Sequence, residues 1–366
     1  MLNLRSILRA DLWPASCGVV VSTAIGLAAG NQSASGSSQS STPSTAKTWT
    51  ASRTPDGQPD LQGVWVDNTI TPFERPPDFK GRAVLTDDEL ATLKARAARL
   101  FDGSGDTAIG DELFMTLLRN PQEHRLRGTG DYNLSWVNVE LVFENRTSQI
   151  VDPPDGLLPA LTAEGLRKTA AAEERGRLQP ADGPESRAPS ERCLTFGTAR
   201  VGFLSARNNS FYQIVQTPDY VMIHSEMIHE ARIIPLAQRP HLSPAVRSWQ
   251  GDSLGRWEGQ TLVIDTTNFT TELIFRQKRD VTVSGEHVHL TERLTPLAAD
   301  SIEYAVTVDD PTTWTRPWTA VTTWKRSDDR MFEFACHEAN YSLVNILRGA
   351  RAEERQPNGP PGKDQR

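Results

Sequence analysis

The pattern of hydrophobic and polar positions is most regular between Phe211 and Glu338. Apolar and polar residues alternate there in short runs separated by turn residues, which is typical of an antiparallel β-meander. Open sheet edges tend to bind other chains, so we predict a mainly β fold in which this meander closes into a β-barrel. The predicted strands are FYQIVQ, DYVMIHSEMIHEARIIPL, GRWEGQTLVIDTTNF, HVHLTERL, SIEYAVTV, WTAVTTWK and MFEFACHE.

The chain before the meander contributes further strands. RTPDGQPDLQGVWVD opens with a Pro-Asp-Gly turn and continues as a strand through Val64 and Val66. Gly63 and Trp65 in this strand resemble the way lipocalins begin, so the barrel is expected to be lipocalin-like. Two more short strands are predicted within residues 134–150.

A few peripheral α-helices are predicted around the sheet. Thr86 and Glu89 form a capping box ahead of LATLKARAARLF, whose leucines and alanines recur on one face. A second helix is expected from Thr162 to Arg175, with only Leu166 to bury. The third helix follows a cap at Asn340. The residues expected to pack inward from the third helix are Leu343, Ile346 and Leu347.

Residues 1–30 have the outline of a secretory signal peptide. Two arginines precede an apolar, small-residue run from Cys17 to Ala29, which is too short to span a bilayer. PASC is a poor match to a lipoprotein anchor, so we predict a periplasmic or secreted protein with no membrane span in its mature form. The predicted parts are a signal peptide (1–30), a disordered Ser-rich linker (31–50), a part with the first strands, covering helices and loops (51–190), the barrel core (191–340), a C-terminal helix (341–355) and a disordered tail (356–366).

Removal of the signal peptide leaves two cysteines, Cys193 and Cys336. An even pair in an oxidising compartment favours a disulfide, and two buried thiols are the alternative. A bridge across so long a loop could contribute on the order of 5 kcal/mol in the chain-entropy model.

Charge and motifs exclude several classes of function. The formal net charge of −7 and the pI near 5.6 argue against a nucleic-acid or anionic-membrane partner. No phosphate loop, dinucleotide fingerprint or nucleophile elbow is present in the sequence, so no cofactor is predicted. The expected partner is a small-molecule ligand or substrate, and the pattern leaves the oligomeric state open.

Two glutamates interrupt apolar rows of predicted central strands. Glu226 lies within YVMIHSEMIHEAR, taken as one strand, and Glu292 lies in the apolar row of HVHLTERL. A buried carboxylate must be paired, hydrogen-bonded or protonated. These strands could bring both glutamates, two or three imidazoles and Arg232 or Arg293 to one mouth or lumen of the barrel. Such a set suits general acid and base chemistry. The alternative is a satisfied polar network that ties the barrel together.

An aromatic row is a second candidate for ligand binding. DPTTWTRPWTAVTTW places Trp314, Arg316 and Trp318 on one side of an extended segment, where they could stack on a sugar ring or another planar ligand. The alternative is a cation–π row that only covers a barrel face. The predicted ligand-binding residues are Glu226, Arg232, Trp314, Arg316 and Trp318.

A metal site of the cupin type is a further alternative. His287, His289, Glu292 and His337 are similar to the His-x-His pair, glutamate and later histidine of cupins. The spacing from His289 to Glu292 is shorter than cupins use, so no metal ligands are assigned.

Several sequence blocks resemble a family of exported bacterial proteins that is common in Acidobacteria. The blocks are RTPDGQPDLQGVW, RTSQIVDPPDGLLP, FYQIVQTPDYVMIHSEMIHEARIIPL, GRWEGQTLVIDTTNF, HLTERL, DPTTWTRPWTA and FACHEANY. The resemblance covers the chain from about Arg53 to Glu354 and implies no particular reaction. The matching motifs carry Cys193, His229, Arg232, Asp265, His289, Glu292, Arg316, Cys336, His337 and Glu338. It favours His229, His289, Glu292 and His337 as the catalytic residues.

Two classes of function follow from these patterns. The first is a cofactor-independent acid–base enzyme of the lyase, isomerase or hydrolase type, acting on a small polyhydroxylated or cyclic substrate. The second is a non-catalytic, lipocalin-like ligand-binding protein, with a cupin-like metal enzyme as the further alternative.

Overall fold

The computed structural model describes residues 49–100, 141–196, 209–270, 272–276, 280–284, 286–338 and 340–355, all within the compact unit Thr48–Arg366. For residues 99, 100, 272–276 and 280–284 only the backbone is described. The predicted signal peptide, nearly all of the linker, residues 134–140 of the segment 134–150 and the tail 356–366 lie outside the described residues.

The fold is mainly β, as predicted, and its centre is one antiparallel sheet of ten strands. The strands are β1 Gly63–Val66, β2 Ile150–Asp152, β3 Phe211–Gln216, β4 Tyr220–Ser225, β5 Ala231–Pro235, β6 Asp252–Glu258, β7 Thr261–Thr267, β8 Glu272–Arg276, β9 Asp280–Ser284, β10 His289–Ala298, β11 Ser301–Asp309 and β12 Trp318–Ser327. Hydrogen bonds connect nine of them in the order β5-β4-β3-β1-β12-β11-β10-β7-β6. The tenth strand, β2, pairs with β12, and β8 and β9 form a separate two-stranded sheet.

The sheet is curled but is not closed into a barrel by backbone pairing. β5 and β6 stand at the two ends of the hydrogen-bonded path, and no ladder joins them in the described part of the chain. Side chains fill the gap instead. A Cβ added to Gly255 of β6 would lie 2.8 Å from Leu236 and 3.0 Å from Ile234, so only glycine fits there without displacing them. Arg232 of β5 also reaches Glu292 of β10 across the inside of the curl.

One face of the sheet, which we call the inner face, carries the hydrophobic core. Residues that are partners in neighbouring strands share a face, so Glu292 stands beside Ile264 and Val306 on the inside. An aromatic stack lies in the same interior: Trp324 packs between Tyr212 and Tyr304, with ring centroids 4.4 and 4.7 Å away.

β1, the first strand in sequence, is fixed against β12, the last strand in sequence and its neighbour in the sheet. The guanidinium of Arg326 lies 4.6 Å from the Trp65 ring centroid, and it occupies the space that a Cβ on Gly63 would need. Gly63 also has a φ of +134°, which favours glycine. The Gly-x-Trp pattern therefore has a packing reason in this chain.

In the described part of the chain, three α-helices and three short 3-10 helices accompany the sheet. The predicted capping box is confirmed, because Glu89 N–H donates to Thr86 Oγ1 at 3.2 Å and Thr86 N–H donates to Glu89 Oε2 at 2.8 Å. The cap at Asn340 is also confirmed, since its Oδ1 accepts from Leu343 N–H at 3.3 Å. The helices are α1 Asp87–Leu100, α2 Ala163–Leu178, α3 Tyr341–Glu354, and the 3-10 turns Pro77–Phe79, Pro184–Ser186 and Met227–His229.

The predicted buried faces of α2 and α3 are wrong. Leu166 is 58% exposed, and α2 instead packs through Gly165, where a Cβ would collide with the Thr313 backbone. In α3 no residue is buried, and Ile346 is 38% exposed. Helical spacing of apolar residues shows which side could pack, but it does not show whether anything covers that side. No helix among the described residues is both long and apolar enough to cross a membrane.

Two strand predictions are also wrong. YVMIHSEMIHEAR is not one strand, because β4 ends at Ser225, a 3-10 turn spans Met227–His229 and β5 begins at Ala231. Ile228 and His229 have φ values of 59° and 43°, and Ser225 N–H donates to the Glu230 carbonyl to close the turn. Met227 and Ile228 are each only 4% exposed, so buried turn residues imitate the apolar alternation of a strand.

The second wrong strand prediction is MFEFACHE, a segment that contains no strand in the structure. This segment is held by side chains: Glu226 Oε1 accepts from Phe332 N–H at 2.6 Å, and His229 Nδ1 lies 3.0 Å from the Phe334 carbonyl oxygen. The predicted disulfide between Cys193 and Cys336 is confirmed, with a Cα–Cα distance of 5.8 Å. It joins segments 143 residues apart in sequence.

Candidate functional site

The best candidate site lies on the face of the sheet that points away from the core, which we call the outer face. Asp265 of β7 and His289 of β10 stand on this face, because the residues next to them, Ile264 and Leu290, point inward and are buried. The loop between β5 and β6 adds His241, which reaches Asp265 from the side.

Five side chains form one hydrogen-bonded chain, the outer His–Asp chain, consisting of Arg239, Asp252, His241, Asp265 and His289. His289 Nε2 lies 2.6 Å from Asp265 Oδ2, and His241 Nε2 lies 2.7 Å from Asp265 Oδ1. His241 Nδ1 lies 2.9 Å from Asp252 Oδ2, and Arg239 donates to both Asp252 oxygens at 2.9 and 3.4 Å. Basic and acidic side chains therefore alternate along the chain.

Each carboxylate of this chain is held in its ionised form. The hydrogen bond from His289 and that from His241 keep the pKa of Asp265 below its ordinary value, against the effect of partial burial. Burial by itself would raise the pKa of Asp252, but Arg239, the Leu242 N–H and His241 together lower it to about 2. Both aspartates therefore carry charge at neutral pH.

The contact with Asp265 also favours the protonated form of His289. The hydrogen bond to Asp265 raises the pKa of His289, with a further contribution from the charge of Asp309 on the neighbouring strand. Both ring nitrogens of His241 face carboxylate oxygens, so the ring is held between Asp252 and Asp265. The His289 side chain is 43% exposed, and no described residue bonds its Nδ1.

A second polar group, the inner cluster, consists of Arg232, Glu292 and Tyr304. Arg232 donates to both Glu292 oxygens at 2.6 and 2.9 Å, and Tyr304 donates to Oε1 at 2.7 Å. The side chains of Arg232 and Glu292 are 8% and 1% exposed. Burial raises the pKa of Tyr304 well above its ordinary value, so the phenol keeps its proton. Arg232, which the sequence analysis placed in the same predicted set as Glu292, is therefore the cationic partner of this glutamate.

The structure does not bring the four predicted catalytic residues together. His289 and Glu292 lie on opposite faces of β10, because their separation of three residues reverses the direction of the side chain. His229 lies in the turn after β4 and contacts Phe334, and His337 lies exposed beside the disulfide. The four residues are therefore not gathered at one site.

The predicted ligand-binding residues are also dispersed. Glu226 is 2% exposed and accepts from the Phe332 backbone, while Arg232 is occupied by Glu292. Trp314 and Trp318 are 1% and 0% exposed and pack edge to face with centroids 5.5 Å apart. Arg316 lies outside the core and pairs with Asp152 at 2.7 Å. The predicted one-sided row is wrong, because β12 begins only at Trp318 and the preceding residues are not extended in register with it.

Sequence reasoning named His289 but missed the groups that hold it. Asp265 is part of a matched sequence block, and it could have been identified as a lone carboxylate in the apolar strand TLVIDTT. The sequence pattern did not point to the other three members of the chain, His241, Asp252 and Arg239. Two of them, Arg239 and His241, reach the sheet through a Pro-rich loop, whose path periodicity does not predict. Only the strand register and the path of that loop show that these residues meet.

The described residues do not have the ligand geometry of a cupin-like metal site. Across the described parts of the chain, no group of three or more His, Cys, Asp or Glu side chains is placed to hold a metal ion. Glu292 points into the core, whereas His289 points out of it.

Known proteins add nothing to the geometry of this site. No protein-family model, no curated protein and no solved structure matches the chain.

Proposed function

We propose that this chain is an exported acid–base enzyme in which His289, positioned by Asp265, transfers the proton. The single observation that carries the proposal is the 2.6 Å contact between His289 Nε2 and Asp265, combined with an Nδ1 that no described residue bonds. A carboxylate that holds one ring nitrogen fixes the tautomer and the orientation of the imidazole. Nδ1 is then the atom that gives or takes the substrate proton.

The rest of the outer His–Asp chain supports the role of Asp265. His241 occupies the second oxygen of Asp265, so the carboxylate cannot rotate without breaking a 2.7 Å hydrogen bond. Asp252 fixes His241 in turn, and Arg239 fixes Asp252. A positioned acid or base of this kind contributes roughly 10²- to 10⁴-fold to a rate.

The surroundings of His289 favour a neutral substrate. Asp265 and Asp309 place negative charge beside the ring, and Glu286 lies three residues before it. Substrate hydroxyl groups could donate hydrogen bonds to these carboxylates, whereas a carboxylate or phosphate group of a substrate could not. The proposed substrate is therefore a small polyhydroxylated or cyclic molecule, and the reaction is an elimination, isomerisation or hydrolysis that needs no organic cofactor.

The proposal includes an oxidising compartment and a lipocalin-like scaffold. The Cys193–Cys336 disulfide supports the first, since such bonds persist mainly in exported proteins. The curled antiparallel sheet and the packing of Arg326 on Trp65 support the second. The signal peptide remains a prediction from residues 1–30.

A substrate screen with one matched pair of variants tests the proposed role of His289. Purified protein would be incubated with a panel of sugars, glycosides and lactones, and consumption would be followed by chromatography. We expect His289→Asn to lower turnover of any substrate by about 10²- to 10⁴-fold. His287→Asn is the control, because His287 is an exposed histidine in the turn two residues before β10.

Two outcomes would overturn the enzyme proposal. Turnover that survives in His289→Asn at the wild-type rate would remove His289 from the chemistry. Compounds that stabilise the protein against heat but are recovered unchanged would favour the non-catalytic binding protein instead.

A further inference from the structure

Three polar atoms in the interior of the curled sheet have no hydrogen-bond partner in the structure. They are the indole Nε1 atoms of Trp257 and Trp324 and the hydroxyl oxygen of Thr322, and each of these atoms is fully buried. Thr322 and Trp324 are 1% and 3% exposed as whole residues. None of these atoms belongs to the outer His–Asp chain.

Strand register places these atoms on the same inner face of the sheet as Tyr304. Trp257 stands opposite Leu262, Leu262 opposite Leu294, and Leu294 opposite Tyr304. Tyr304 in turn stands opposite Thr322, so Trp257 and Thr322 occupy one row of inward-facing positions. Trp324 is two residues further along β12 on the same face, and its ring stacks on Tyr304.

Buried polar atoms in folded proteins nearly always have a partner, and a buried donor without one costs free energy. Three such atoms on one side of one interior indicate a partner that is not part of the described chain. The inner cluster cannot supply it, because Glu292 already accepts two hydrogen bonds from Arg232 and one from Tyr304.

We infer that the interior of the sheet binds a compact, neutral molecule whose oxygens accept hydrogen bonds, of the carbonyl or cyclic-ether type. An indole N–H only donates, so the occupant must offer acceptors to Trp257 and Trp324. Arg232 and Glu292 neutralise each other, so an ion would enter this interior without a free counter-charge. The stacked rings of Trp324 and Tyr304 make this part of the interior apolar around the polar atoms.

This inner site is separate from the proposed catalytic site. The two lie on opposite faces of β10, and no residue belongs to both. The inference holds whether or not His289 is catalytic, so failure of one proposal leaves the other standing.

Indole N–H resonances report occupation of the inner site directly. The ¹⁵N-labelled protein would be titrated with acetone and tetrahydropyran-4-one, which carry acceptor oxygens and no donor, and Trp257→Phe and Trp324→Phe would assign the two signals. We expect those two signals to shift while the signal of Trp49, which is 39% exposed, stays in place. Piperidinium, a cation of similar ring size that only donates, should cause no shift.

A matched pair of threonine variants gives the quantitative test. Thr322→Val keeps the shape of the side chain and removes the hydroxyl, and we expect it to weaken probe binding by about fivefold to tenfold. Thr323→Val changes the next residue, which lies on the other face of β12, and should leave affinity unchanged. The inference is wrong if neither probe shifts the two indole signals. It is also wrong if those N–H groups show magnetisation transfer only from water, which would mean that water is their partner.

Discussion

The inner cluster and the outer His–Asp chain use the same kinds of group in opposite surroundings. In the inner cluster, Arg232 and Glu292 are 8% and 1% exposed, and every oxygen of the carboxylate is occupied. In the outer chain, the His289 side chain is 43% exposed, and no described residue bonds its Nδ1. Both are networks of polar and charged side chains that join separate elements of the fold, and they lie on opposite faces of the sheet.

The difference shows how burial changes what an ion pair can do. A buried pair whose hydrogen bonds are satisfied is fixed, because removal of either partner leaves a charge in a medium of low dielectric constant. A half-exposed pair is screened by water and contributes little stability, but its pKa values can adjust and its free atoms can reach a substrate. We therefore assign structure to the inner cluster and chemistry to the outer chain.

The largest expected effect comes from removal of the inner guanidinium. Arg232→Met should lower the free energy of unfolding by about 3–5 kcal/mol, since Glu292 loses its counter-charge while still buried. Urea denaturation measured at pH 7 would give the value. The double variant Arg232→Met/Glu292→Leu should recover most of the loss, because an apolar pair of similar size needs no counter-charge.

Arg239→Met is the matched change in the outer chain. Arg239 is 34% exposed, so its pair with Asp252 is partly screened, and we expect a loss of about 1 kcal/mol. Equal losses in the two variants would contradict the assignment of different roles.

Glu292→Gln distinguishes a structural from a catalytic role for this glutamate. Glutamine keeps the shape but loses the charge and part of the pairing with Arg232, so stability should fall by about 1–3 kcal/mol. Turnover of a substrate found for the wild type should stay within a fewfold, in contrast to His289→Asn. A loss of 10²-fold or more in turnover with unchanged stability would move the chemistry to the inner face.

The stability that the His289–Asp265 pair contributes should depend on pH. The folded pKa of His289 is raised above 6.5, so the stability it contributes is fully present below pH 6.5 and is lost as the pH rises through the folded value. The folded pKa of Asp265 is below 3.8, so its contribution is present above pH 3.8 and is lost as the pH falls through the folded value. The pair should therefore stabilise most between these limits.

The size of this pH effect should be at most about 1 kcal/mol, since water screens both groups. It would be measured as the difference in unfolding free energy between the wild type and Asp265→Asn at pH 5, 7 and 9. An NMR titration should also show the His289 midpoint falling towards that of free histidine in Asp265→Asn. An unchanged midpoint would mean that Asp265 does not hold the imidazole.

The smallest effect on stability is expected from a change at Arg293, the residue next to Glu292. Arg293 points to the outer face and pairs with Glu258 at 2.9 Å, and both side chains are at least 40% exposed. Arg293→Gln should change stability by less than about 0.5 kcal/mol. A loss comparable with that of Arg232→Met would show that exposure does not separate the two faces as we describe.

Particular residues show how far sequence reasoning reaches in this protein. Glu292 was identified as a buried carboxylate because alternation along one strand is a local property. Thr86 and Glu89 were identified as a capping box for the same reason. Glu226 was misplaced, because Met227 and Ile228 are buried inside a turn, and burial there follows from packing rather than from alternation.

The sequence by itself determined the mainly β class, most strands of the meander, two helix caps, the pairing of Cys193 with Cys336 and the burial of Glu292. Each of these depends on the order of residues along one element or on the number of cysteines. The tertiary structure alone decided that Arg232 neutralises Glu292, that His241 and Asp265 reach His289, and that Trp314 is buried in the core. These contacts join residues on different elements, and their distances depend on strand register, sheet curl and loop path, which periodicity along the chain does not encode.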